Sequence, residues 1–158
     1  MNRSMRGRAI LCLVLLCLAV WGCGENANEH KSAVNADSAV HSEALVFFKR
    51  HNPGKEIIKW VEADLNNDGR IDCIVIYHIS TEKNMMRVIL NLEEGYFDTN
   101  EVPAPVSDQV IQLRDIDRKP PMEFIVQGAK GIKMGYAVYR IEENRLVDLF
   151  GEGMDDCC

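Results

Sequence analysis

From Glu56 to Phe150 the chain is a succession of short apolar runs, with a period of two or continuously apolar, separated by turn residues. "EIIKWVEADL", "CIVIYHIS", "MMRVILNLE", "GYFDTNEV", "QVIQLRDI", "EFIVQGAK", "GYAVYRIE" and "RLVDLF" each have the length and β-branched content of a strand. Eight such strands joined by turns predict an antiparallel β assembly. Met85 and Met86 lie inside one run, where methionine is strand packing rather than a soft-metal ligand. Ahead of the strands, "SAVHSEALVFFKRHNPG" sets Val40, Ala44, Val46, Phe47 and Phe48 on one side of a short helix. Asn52-Pro53 ends it, and His41 and His51 fall at its solvated edges.

The strands also repeat. "ADLNNDGRIDCIVIY" at 63–77 lies without a gap over "RDIDRKPPMEFIVQG" at 114–128, so that Asp64 matches Asp115, Asn66 matches Asp117 and Asp72 matches Glu123. "NLEEGYF" at 91–97 lies over "RIEENRL" at 140–146, with Gly95 opposite Asn144, two residues suited to a left-handed turn. The expected fold is mainly β: two repeated four-stranded antiparallel meanders packed as one domain, preceded by the helix. Two such units are too few to close a propeller, so a sandwich or paired-meander arrangement is expected.

Between the first two strands of the first copy stands "DLNNDGRID", with the form D-x-N-x-D-G-x-x-D. Asp64, Asn66, Asp68 and Asp72, with the carbonyl of Arg70, place oxygen ligands at intervals that wrap one hard cation, and Gly69 permits the sharp turn. Crowded carboxylates repel one another unless a divalent ion neutralises them. The competing reading is a metal-free turn held by Asx hydrogen bonds. The loop resembles the calcium loop of FG-GAP and VCBS-type β repeats, which implies a structural calcium ion. Val75 stands where an EF-hand would need its twelfth-position glutamate. In the second copy Lys119 and Pro120 replace an acid and the glycine, so one site is expected, not two.

The other end of the chain reads as targeting. "MNRSMRGR" is basic and "AILCLVLLCLAV" is apolar but short for a bilayer span, which fits a secretory signal over residues 1–22. "VWGC" resembles a bacterial lipobox, with Cys23 as the lipidated residue and cleavage just before it. An exported protein anchored through lipid to the bacterial membrane is the expectation. Residues 23–37 are small and polar and read as a tether; 38–150 form the β-repeat domain with its helix; 151–158 read as a flexible tail. Removing 1–22 takes Arg3, Arg6 and Arg8 and no acid, so the remainder is more negative than the whole chain's −6. No nucleic-acid footprint is expected from that balance.

Cys12 and Cys17 leave with the signal, and Cys73 sits in an apolar strand as a buried thiol. Cys157 and Cys158 stand adjacent in "GEGMDDCC", where Gly151 and Gly153 loosen the backbone. Three readings of the pair are open. A vicinal disulfide would be strained and easily reduced. A thiol–disulfide reagent needs a lowered pKa, and Asp155 and Asp156 work against one. Soft-metal capture needs only two thiolates within reach, which suits a two-coordinate ion such as mercury(II).

A lipobox-type signal, a small β domain with an FG-GAP-like loop and the Cys157-Cys158 pair resemble the SaoC family of Cys-Cys-COOH (seleno)proteins. The resemblance implies a part in a selenocysteine-assisted organometallic system, alongside an organomercury-lyase-like protein, a transporter and thioredoxin-like partners. Some members carry selenocysteine in the final pair; this chain has cysteine at both positions. Mercuric reductases also end in a cysteine pair that relays mercury, a similarity confined to the tail. The expected function is capture or relay of mercury-like ions or organometals through Cys157 and Cys158. A redox partner of a thioredoxin-like protein and a calcium-stabilised β-repeat binding lipoprotein are the alternatives. No Ser/His/Asp or paired-carboxylate constellation points to an enzyme.

Overall fold

Ser42 opens the first element, its Oγ accepting a hydrogen bond from the Leu45 N–H at 3.4 Å, so an orphan donor of the first turn finds a partner. The computed structural model describes residues 42–154 and 158. The signal segment, the lipobox Cys23, the 23–37 tether, Val40, His41 and Cys157 lie outside the described residues. Helix α1 spans Glu43–His51, with an acid in its first turn and Lys49, Arg50 and His51 in its last, as the helix dipole favours. It stops at Asn52, whose backbone N–H and side-chain amide both donate to the Phe48 carbonyl, at 2.8 and 3.2 Å. Ala44, Leu45 and Phe48 form the buried stripe. Val46, expected on that stripe, is instead 50% exposed, because the helix turns the Leu45 side toward the sheet. Among the described residues no helix is long and apolar enough to cross a membrane.

Nine strands follow: β1 (Glu56–Ala63), β2 (Asp72–Ser80), β3 (Lys83–Leu92), β4 (Gly95–Asp98), β5 (Val102–Ala104), β6 (Ser107–Arg114), β7 (Glu123–Lys130), β8 (Lys133–Glu142) and β9 (Arg145–Glu152). They make two antiparallel sheets, one ordered β1-β2-β3-β4 with β5 also on β3, the other β6-β7-β8-β9. The protein is mainly β, with one short helix before its two sheets. The run 95–102, expected as one strand, is divided. β4 pairs with Ile89–Leu92 and β5 with Asn84–Met86, along the same edge of β3. Thr99 fills the gap: its N–H donates to the Val88 carbonyl and its Oγ1 accepts from the Val88 N–H, both at 3.0 Å.

β2 is buried on both faces, which explains its unbroken apolar run "CIVIY". Cys73, Val75 and Tyr77 pack with Ala44, Leu45 and Phe48 under the helix. Ile74 and Ile76 face the other way and join Met86, Val88 and Leu90 against Phe124, Val126, Ala137, Tyr139 and Ile141 of the second sheet. Each fully buried aliphatic or aromatic side chain there contributes about 1.5–3 kcal/mol of transfer free energy. Cys73 and Phe124, matched in the repeat, therefore lie in different layers. The helix covers the Cys73 face of the first sheet, whereas the Phe124 face of the second meets the first sheet. The sheets stack face to back.

The hairpins correct the repeat by one residue. Cys73 pairs with Ile89 and Phe124 with Tyr139, while Leu92 pairs with Gly95 and Glu142 with Arg145. The counterpart of Gly95 is thus Arg145, not Asn144. Glu143 and Asn144 both adopt positive φ (50° and 59°), the geometry of a tight hairpin turn. A one-residue slip exchanges the faces of a strand, so the correction matters for which side chains meet. The tail also begins later than expected. β9 runs through Gly151 and Glu152, which pair with Ala137 and Tyr136, so those two residues belong to the sheet.

Candidate metal sites

The first acidic loop joins β1 to β2 and is organised by its own side chains. The Asp68 N–H is shared by Asp64 Oδ1 and Asn66 Oδ1, both at 3.1 Å, and the Gly69 N–H donates to Asp64 Oδ2 at 2.9 Å. Asp68 Oδ1 accepts from the Arg70 N–H at 2.9 Å, and the Arg70 guanidinium stands 3.3 Å from Asp68 Oδ2. Left-handed residues at Asn67 (φ 62°) and Gly69 (φ 83°) bring the chain round. The Asx-turn interactions anticipated as the metal-free alternative are therefore present.

Asp72 does a different task from its neighbours. It is wholly buried, with Oδ2 accepting from the Leu65 N–H and Oδ1 from the Asn91 N–H, both at 2.9 Å. It locks the loop to β3. Burial raises its pKa, opposed by the Asn91 and Leu65 N–H groups and assisted by the charges of Asp68 and Asp64. For the exposed Asp68, desolvation works in the raising direction. The Arg70 N–H, the Asn66 amide and the Arg70 charge outweigh it and hold the carboxyl below its usual range. The donor set fits a hard cation in kind. In this structure Asp64 and Asn66 accept the Asp68 N–H, Asp68 accepts the Arg70 N–H and Asp72 turns to Leu65 and Asn91, so among the described residues the carboxylates of Asp64, Asp68 and Asp72 do not gather within 4.8 Å of one another.

The second loop, between β6 and β7, keeps the same frame. The Ile116 N–H donates to Glu123 Oε2 and the Lys119 N–H to Asp117 Oδ1, each at 2.9 Å, matching Leu65 to Asp72 and Asp68 to Asn66. Arg118 (φ 59°) matches Asn67. Among the described residues, three acidic side chains whose ligand atoms all lie within 4.8 Å of one another occur here, at Asp115, Asp117 and Glu123. Arg140 Nη1 stands 3.3 Å from Asp117 Oδ2 and 3.2 Å from Glu123 Oε1, and its Nε donates to Glu142 Oε1 at 3.0 Å. The positive charge among these acids is therefore a guanidinium from β8. Lys119, which replaces an acid of the first copy, is exposed.

At the tail, Cys158 is half-buried and its Sγ donates to Met154 Sδ at 3.9 Å. Met154 is itself half-buried against the core between the sheets. Gly153 sets the turn between β9 and Met154: its φ is +68°, and a β-carbon there would stand 2.5 Å from the Met134 carbonyl oxygen. Met154 was invisible in the sequence as a soft neighbour of Cys158, because nothing local announces where that turn points. Cys73 is fully buried, and burial first, then the charges of Glu62 and Asp72, drive its thiol pKa far up. It is an inert core thiol, as its apolar run predicted. His51 and His78 engage the Phe47 carbonyl and the Asn84 amide, at 2.9 and 3.1 Å, and take no part in either acidic loop.

No family model, no curated protein and no solved structure matches the chain.

Proposed function

We propose that the protein is a membrane-anchored, extracytoplasmic carrier that captures or relays soft metal ions or organometals through Cys157 and Cys158. The observation that carries this reading is the adjacency of two thiols in a segment of glycine and acid. Two thiolates grip a soft ion such as mercury(II) strongly enough to displace their protons near neutral pH. The acids beside them, Asp155 and Asp156, attract cations and disfavour a free thiolate, which supports metal capture over thiol–disulfide catalysis. Cys73, held protonated in the core, does not compete for the ion.

The remainder of the chain serves this tail. Lipid on Cys23 holds the protein at the membrane, and the FG-GAP-like β body carries a structural calcium ion on Asp64, Asn66, Asp68, Asp72 and the Arg70 carbonyl. The protein does not itself cleave carbon–metal bonds. As in SaoC-type systems, it exchanges its ion with an organometal-handling or thioredoxin-like protein and a transporter. Titration of the reduced full chain with mercury(II), against a Cys157→Ser, Cys158→Ser variant, tests the reading. Tight binding by the full chain, lost in the variant, supports it; equal binding by both removes it.

A further inference from the structure

We propose that the outer face of the second sheet, the one turned away from the first, is an interface between two copies of this chain. The internal repeat says what such a face receives. In the first sheet Leu65, Ile74, Met86 and Val88 are fully buried because the second sheet lies on them. The loop frame and the corrected register give their counterparts as Ile116, Ile125, Tyr136 and Val138. These keep apolar or aromatic side chains, yet Ile116 is 53% exposed and the other three are only half-buried. Phe150 joins them from β9, 56% exposed, paired with Val138 and with its ring centroid 5.9 Å from that of Tyr136. Gln127 and Arg140 take the places of the buried Ile76 and Leu90, the polar admixture of a surface that also meets water. Among the described residues, no helix or strand covers this face.

Its occupant is a second copy of the same face. At the far end of the stack α1 already covers the first sheet, so copies cannot continue head to tail; like faces pair, and the assembly closes at two. The 24–37 tether, with Val34 its largest apolar side chain, has little to bury there. Four strands about 4.8 Å apart, with about eight residues each at about 3.3 Å, present about 500 Å² per copy, so a pair reaches the roughly 1,000 Å² that a specific contact needs. The charges are also self-complementary. Arg114 on β6 and Glu152 on β9 are exposed at opposite corners of the face, and the Tyr136 hydroxyl donates to Glu152 Oε2 at 3.4 Å. A two-fold axis in the plane of the face that exchanges these corners sets Arg114 of each copy on Glu152 of the other. Val110 and Val147, at the remaining corners, lie on that axis and meet their own copies. The strands of the two copies then cross at roughly 90°, one of the two packing classes of sheet on sheet.

Sedimentation equilibrium of the reduced full chain in density-matched detergent, over a wide range of concentration, tests this. The mass should rise from the 17.9 kDa of one chain toward twice that value. Phe150→Asp should raise the dissociation constant more than about tenfold. Arg114→Glu should weaken pairing about fivefold by setting acid against acid, and adding Glu152→Arg should restore it. All three side chains are exposed, so an unchanged thermal midpoint will show each variant folded. A chain monomeric at every concentration would leave the face to another protein or to the membrane and overturn the inference. A dimer that Phe150→Asp does not weaken would pair through another surface and overturn it equally. Failure of the double exchange to recover what Arg114→Glu loses would overturn the crossed arrangement.

Discussion

The Arg140 guanidinium stands 3.2 Å from Glu123, a carboxylate only 2% exposed, and occupies the position in the second loop where a bound cation would neutralise the acids. Asp72, the matching carboxylate of the first loop, meets the backbone N–H groups of Leu65 and Asn91 instead. Both loops thus carry a guanidinium, Arg70 on the exposed Asp68 in the first and Arg140 on the buried Glu123 in the second.

Arg140→Gln should therefore lower the thermal midpoint, since it leaves Glu123 buried and charged beside Asp115 and Asp117. Millimolar calcium, the range typical of extracellular sites, should restore part of the loss in this variant. Differential scanning calorimetry with and without calcium checks this. A midpoint unchanged by the substitution would mean that the guanidinium is not compensating the acids.

Removing calcium should lower the stability of the wild-type protein, and Asp64→Ala should abolish the difference between calcium-loaded and chelated samples. Asp64 supplies both oxygens to the turn, at 3.1 Å to the Asp68 N–H and 2.9 Å to the Gly69 N–H. Its loss also weakens the loop frame in the absence of metal. The reading on calcium is thus the chelator-dependent difference, measured by urea denaturation, rather than absolute stability. Equal chelator sensitivity in both proteins would place the ion elsewhere.

Asp72→Ala should destabilise the fold by about 3 kcal/mol, because two buried N–H groups lose a charged acceptor. Asp72→Asn should cost less, since its side chain retains one acceptor oxygen. Equilibrium denaturation separates the two. Equal effects would show that the carboxylate acts through packing alone.

Glu101 gives the acid limb of stability. Desolvation acts to raise its pKa. The Tyr77 hydroxyl and the Lys55 and Arg87 charges prevail and hold it below the ordinary 4.5. A group with a depressed folded-state pKa contributes stability above its unfolded value and loses it as pH falls through the folded one. Wild-type stability should thus decline below about pH 4.5 more steeply than that of Glu101→Gln, in which this titration is absent. Parallel curves for the two proteins would contradict the assignment.

The strands were legible because period-two or continuously apolar runs bounded by turn residues specify strands; that the strand holding "CIVIY" is covered on both faces emerged only in the structure. The hydrogen-bonded turn of the acidic loop was legible too, since its Asx partners are local. What the sequence could not give depends on register. Glu123 and Arg140 are 17 residues apart and meet only across the β7–β8 pairing. The hairpin alignment was one residue out, because Asn144 and Gly95 both favour positive φ but occupy different places in their turns. The division of 95–102 turned on Thr99, which looks like an ordinary strand residue until Val88 lies opposite it. Met154 was hidden for the same kind of reason.

The most direct measurement is X-ray absorption at the mercury edge on the reduced full chain loaded with one equivalent of mercury(II). The account predicts two sulfur neighbours at about 2.3 Å, lost on substituting Cys157 and Cys158 by serine. A mercury site that keeps its sulfur neighbours in that variant would contradict it.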